Sequence, residues 1–168
     1  MPPSYRERLR VEGLTLAACG AVGSAVLVAF VPASRRWPLN TVAQLAVVAV
    51  LLEALGTRRV RRWVAEAEEV APGEEGSGEP TPLWMIPPIV AGLAAVLVLL
   101  PETGLPASDR AGWDAALRIT GGCTLVGLAQ GLRFAGVVGQ DERARGRRYL
   151  RVKGSHLWSG TTLGWMRA

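Results

Sequence analysis

The chain has 168 residues, a net charge of +5 and a hydrophobic fraction of 49%, with Lys153 its single lysine. Its charges are segregated from long uncharged runs, a pattern that excludes an ordinary soluble surface and favours a polytopic membrane protein. The basic residues sit beside those runs, so anionic headgroups rather than nucleic acid are the expected first partner.

Four apolar runs can be marked, at residues 14–31, 39–52 (extended by 53–55), 83–100 and 117–138. Each approaches the length of about 18 residues that crosses a bilayer core. The predicted fold is therefore all-α, with four transmembrane helices in two hairpins. Residues 1–56 form the first hairpin, 57–82 an amphipathic helix and acidic linker, 83–140 the second hairpin and 141–168 a basic tail.

The N-terminal stretch carries Arg6, Arg8 and Arg10 ahead of the first span. Leu16-Ala17-Ala18-Cys19 resembles a lipoprotein lipobox, but most of the apolar residues follow the cysteine instead of preceding it. Val31-Pro32-Ala33 resembles a signal cleavage site; an uncleaved first span is expected. Cys19 and Cys123 both fall in spans and are expected to be free, packing as small residues. A short loop with Arg35, Arg36 and the interfacial Trp37 leads to the second span, which holds Asn40, Gln44 and Glu53.

Residues 57–71 read as an amphipathic helix. Val60, Trp63, Val64, Ala67 and Val70 make its apolar stripe, and arginines give way to Glu66, Glu68 and Glu69. Such a helix is expected on the membrane surface, or docked on a partner. Residues 72–82, rich in glycine, proline and glutamate, read as a flexible linker. Pro87-Pro88 places the start of the third helix there, leaving about 14 residues, or roughly 21 Å of crossing.

Leu100-Pro101-Glu102-Thr103-Gly104 spells LPETG and resembles the sortase recognition motif of Gram-positive surface proteins. That resemblance implies cell-wall anchoring. A long gap separates the motif from the next span, however, and cleavage would strand three helices, so it is expected to be incidental. A faint repeat relates Pro32-Ala33-Ser34, Arg36 and Trp37 to Pro106-Ala107-Ser108, Arg110 and Trp113.

Residues 121–139 carry small residues four apart: Cys123, Gly127, Gly131, Ala135 and Gly139 share one helical face. In lipid such a ladder lets another backbone approach closely, and the small-residue first span is its natural neighbour. Gln130 and Arg133 lie in the same helix. Glu53 and Arg133 fall at equal depth, roughly 8–12 Å inside one membrane boundary, and should pair with Gln130 nearby. Small four-span multidrug exporters use a membrane glutamate as a proton or cation site, and the resemblance here is loose because Glu53 is near the edge.

Arg143, Arg145, Arg147, Arg148 and Arg151 make the tail basic, and Trp158 and Trp165 follow among small polar residues. Counting arginines on alternating sides places both termini in the cytoplasm of a multi-pass inner (plasma) membrane protein. His156 is solitary, so no metal site is expected, and no motif for a cofactor or a nucleophile is present. The expectation is a non-catalytic subunit, homo-oligomeric or part of a larger bacterial membrane complex. It would pack helices through its glycine face and contact lipid or a cytoplasmic partner through Val60, Trp63, Val64, Ala67, Arg143, Arg147, Arg148, Trp158 and Trp165. The alternative is a small channel or transporter built on Glu53 and Arg133.

Overall fold

The computed structural model describes residues 4–30, 39–70, 86–99, 109–153 and 162–167. The LPETG stretch, the 72–82 linker, the first copy of the repeat, His156 and Trp158 lie outside the described residues. The elements run α1 (Tyr5–Phe30), α2 (Leu39–Leu51), α3 (Thr57–Ala65), β1 (Glu68–Glu69), α4 (Ile86–Leu99), α5 (Asp109–Leu128), α6 (Ala135–Arg145), β2 (Arg147–Lys153) and β3 (Thr162–Arg167). Two π-helical segments, Leu52–Gly56 and Ala129–Phe134, join α2 to α3 and α5 to α6 without a break.

Local chemistry sets several of these ends. The Ser4 hydroxyl accepts from the Glu7 amide at 3.2 Å, and the Glu7 carboxylate accepts from the Ser4 amide at 2.8 Å, a reciprocal cap that starts α1. Pro87 and Pro88 occupy the first turn of α4, where a missing amide leaves no helical bond unmade. Gly146, with φ of 60°, takes the left-handed position that ends α6 and returns its amide to the Glu142 carbonyl.

The helices Tyr5–Ala29 and Ala115–Arg145 are long and apolar enough to cross a membrane. The described chain is mostly helical but not all-α. Beyond α6 the tail contributes two strands, which the sequence reading did not include. β3 is central in a three-stranded sheet of order β1-β3-β2, antiparallel to β2 and parallel to β1. Arg147 pairs with Arg167, Tyr149 with Trp165 and Glu68 with Gly164. β2 is crowded with arginine and β1 is two residues long, so neither shows the apolar alternation that marks a strand in sequence.

The chain divides into two compact units. The first comprises Met1–Leu14, Leu52–Thr81 and Ala129–Ala168. Its core joins Tyr5 and Leu9 of α1, Val60 and Val64 of α3, Ala135 and Val138 of α6, Tyr149 of β2 and Leu163 of β3. Trp63, Ala67 and Trp165 pack at its margin. The α3 stripe is thus turned inward at two positions: Val60 and Val64 are 3% and 5% exposed, where a contact surface for lipid or a partner was expected. Residues of α1, α6 and the sheet supply the cover that the sequence assigned to a membrane surface or a partner.

The second unit comprises Thr15–Leu51 and Pro82–Leu128. There α5 packs against α2 and α4, and α1 meets α5 through small residues. A Cβ on Gly20 would lie 2.5 Å from the Thr120 carbonyl oxygen, so the two backbones touch there. The Ser24 hydroxyl donates to Thr120 Oγ1 at 2.9 Å. Thr120 in turn bonds its hydroxyl to the Ala116 carbonyl, the usual way a helix satisfies a buried threonine. Cys19 and Cys123 are free thiols, each partly buried.

Candidate functional site

Three groups of candidate residues can be placed, beginning with the polar pair. Glu53 lies in the Leu52–Gly56 π-helical segment and Arg133 in the Ala129–Phe134 segment. Arg133 Nε donates to Glu53 Oε1 at 2.6 Å. The π-helical turns explain the meeting. Each widens its helix by one residue and shifts the side chains beyond it, a device common at functional positions. Gly56 lies under the Phe134 ring, where any side chain would collide, so the two segments approach closely. Gln130 is buried at 6% exposure in the same segment as Arg133. The charged side chains are about half exposed, 55% for Arg133 and 51% for Glu53, so the pair lies at a surface and not in an enclosed chamber.

The glycine ladder faces inward. Gly127, Gly131, Ala135 and Gly139 are buried and Cys123 is partly so. In the first unit a Cβ on Gly131 would lie 3.1 Å from the Leu14 amide nitrogen and 3.3 Å from the Arg10 carbonyl oxygen. A Cβ on Gly139 would lie 2.7 Å from Arg6 Nε. At those two positions the ladder is engaged by α1 of the same chain.

The arginines of the tail meet those of the N-terminus. Arg6, Arg10, Arg143, Arg147 and Arg148 line one cavity of the first unit, with Ser4, Glu7, Glu142 and Gly146. Arg143 Nε donates to its own Gly139 carbonyl at 3.1 Å, and Arg147 stacks over the Trp165 ring at 3.9 Å from its centroid. Arg148 lies 3.8 Å from Glu7 Oε2. The Ser4 amide and then its hydroxyl, with Arg148 and Arg6 adding charge, hold the Glu7 carboxyl below its usual range. Glu142, beyond the apolar part of α6, is pushed the other way by burial, although the Tyr149 amide and Arg6 and Arg148 oppose that shift. Its Oε1 accepts from the Tyr149 amide at 3.1 Å, tying the start of β2 to α6.

Tyr149 is wholly buried and donates its hydroxyl to Asp141 Oδ2 at 2.5 Å. Burial, the hydrogen bond and the Asp141 charge push its phenol up to about 12. Asp141 also pairs with Arg145 at 3.1 Å. Two buried polar atoms lack a hydrogen-bond partner among the described residues, Arg8 Nη1 and Thr57 Oγ1.

Sequence reasoning placed Arg143, Arg147 and Arg148 in a contact surface but did not join them to Arg6 and Arg10, nor notice Glu142 and Tyr149. The only signal was that basic clusters flank the apolar runs at both ends. Comparison with protein-family models, curated proteins and solved structures finds no match for this chain.

Proposed function

We propose that the chain is a non-catalytic, multi-pass subunit of the bacterial inner membrane, with four spans and both termini in the cytoplasm. It holds other membrane helices in a complex and presents its basic unit to lipid headgroups and a cytoplasmic partner. One observation supports this reading above the rest: the helices of the second unit expose aliphatic side chains that water would penalise. Val22 is 64% exposed, Val47 58% and Val50 68%. Burying such a surface in lipid or against neighbouring helices removes a cost of roughly 25 cal/mol per Å². Because Gly131 and Gly139 are covered by α1, foreign helices meet these aliphatic faces instead of the glycine ladder.

The test is native mass spectrometry of the full chain extracted in mild detergent from alkali-washed membranes. The expected result is a species of fixed stoichiometry, homo-oligomeric or with a partner. A detergent-free soluble monomer refutes the reading.

A second reading, a small channel or transporter, draws on the Glu53–Arg133 contact between two π-helical segments. In liposomes, Glu53→Gln should then abolish proton or cation flux while assembly persists. Equal flux in the variant and the parent protein refutes it.

A further inference from the structure

The cavity between the first turns of α1 and the α6–β2 turn is an open cleft of about 500 Å³. Five arginines line it, Arg6, Arg10, Arg143, Arg147 and Arg148, against two glutamates, Glu7 and Glu142. Both carboxylates are already engaged: Glu7 by the Ser4 amide and Arg148, Glu142 by the Tyr149 amide. Arg6 and Arg10 form no ion pair among the described residues. Like charges gathered round one space repel, and an anion seated among them removes that repulsion.

The guanidiniums are also held in position. Arg143 is tied to the Gly139 carbonyl, Arg147 sits over the Trp165 ring and Arg148 leans on Glu7. Arg6 rests on Gly139, where no side chain intervenes. Planar forks fixed in this way suit the oxygens of a tetrahedral oxyanion, which they bond in pairs. The volume is larger than bare phosphate requires and falls in the range of small organic ligands.

We propose that this cavity is a binding site for a phosphate-bearing anion, either the headgroup of an acidic phospholipid or a soluble phosphate. Arg10 lies one turn before the apolar run of α1, and Arg143 one turn after the glycine ladder ends. That is headgroup depth if the helices cross a bilayer. The lipid source therefore rests on the membrane reading above, whereas the phosphate chemistry does not.

The full-length protein answers this in two arms. In detergent, inorganic phosphate is titrated by calorimetry. In nanodiscs of phosphatidylcholine, with and without phosphatidylglycerol, the melting temperature and the lipid retained in native mass spectrometry are measured. Binding in the first arm assigns a soluble phosphate; selective retention of phosphatidylglycerol assigns the lipid. The double variant Arg10→Gln/Arg143→Gln should bind at least about tenfold more weakly in the responding arm, having lost two charge-assisted contacts. Arg58→Gln/Arg62→Gln removes the same charge from α3, at positions that do not line the cavity, and should change binding by less than about twofold, the scale of screened surface charges. Circular dichroism without ligand checks that the variants fold, and Arg147→Gln serves if the double variant does not. Should both unfold, the preference of the parent protein for phosphatidylglycerol or phosphate decides alone. No binding in either arm, or an equal loss in the α3 control, overturns the proposal. Resistance to alkaline carbonate extraction reports membrane insertion separately, so the two readings fail distinguishably.

Discussion

Replacing Leu163 by alanine strips the β3 side chain from a core in which Tyr149 and Val138 have no exposed surface. Leu163 is itself 3% exposed, so the lost methyl groups leave a void that tightly packed neighbours close only in part. The expected cost is about 3–4 kcal/mol, the middle of the range for buried leucine. Val64→Ala removes two methylenes' worth of burial on the facing helix, about 1.6 kcal/mol by transfer and somewhat more with its cavity. Because α3 packs on β3 and both residues belong to one cluster, the two losses share a void. The double variant should be less destabilised than the sum by roughly 1 kcal/mol. The assay is reversible denaturant unfolding of the full chain in mild detergent, followed by tryptophan fluorescence, since Trp63 and Trp165 border this core. If α3 instead lay on the bilayer with the tail elsewhere, the two changes would add within about 0.5 kcal/mol. Additivity of that kind refutes the packing.

Three further outcomes are expected. Tyr149 ionises only near 12 in the fold against an ordinary 10.0, so its contribution to stability is complete below pH 10 and is lost as pH rises toward 12. An alkaline ultraviolet titration of the Tyr5→Phe variant, which leaves Tyr149 as the remaining tyrosine, should show one late transition; a midpoint near 10 refutes the burial. Gly146→Ala forces a Cβ into a left-handed turn at φ 60° and should cost roughly 1 kcal/mol in the same unfolding assay, with no change indicating that the turn relaxes freely. Gly20→Ala places a methyl 2.5 Å from the Thr120 carbonyl and should lower the melting temperature clearly, whereas Gly122→Ala meets open space and should not; equal melting of the two removes the close approach of α1 and α5.

Much of the candidate site was legible because helical spacing is a local property. Glu53 and Arg133 could be matched in depth by counting residues from the charged ends, and the small residues from Cys123 to Gly139 declare a common face by their spacing alone. The apolar stripe from Val60 to Val64 was equally plain as a stripe. Periodicity says that a face must be covered without saying by what, and for Val60 and Val64 the cover is the chain's own core. The strands were hidden for a different reason: Arg147, Arg148, Arg151 and Lys153 crowd the tail with charge, and only register against β3 makes a strand of it.

The sequence by itself determined the helical character of the chain, the placement of its apolar runs and the segregation of arginine at their ends, since each depends on neighbours within a few turns. Tertiary structure alone decided that α3 and the tail share one core, that the Glu53–Arg133 contact is made from π-helical turns, and that Arg6 and Arg10 share a cavity with Arg143, Arg147 and Arg148. Those pairings join residues scores of positions apart. Their free energy comes from surfaces that exist only once the chain has folded back on itself.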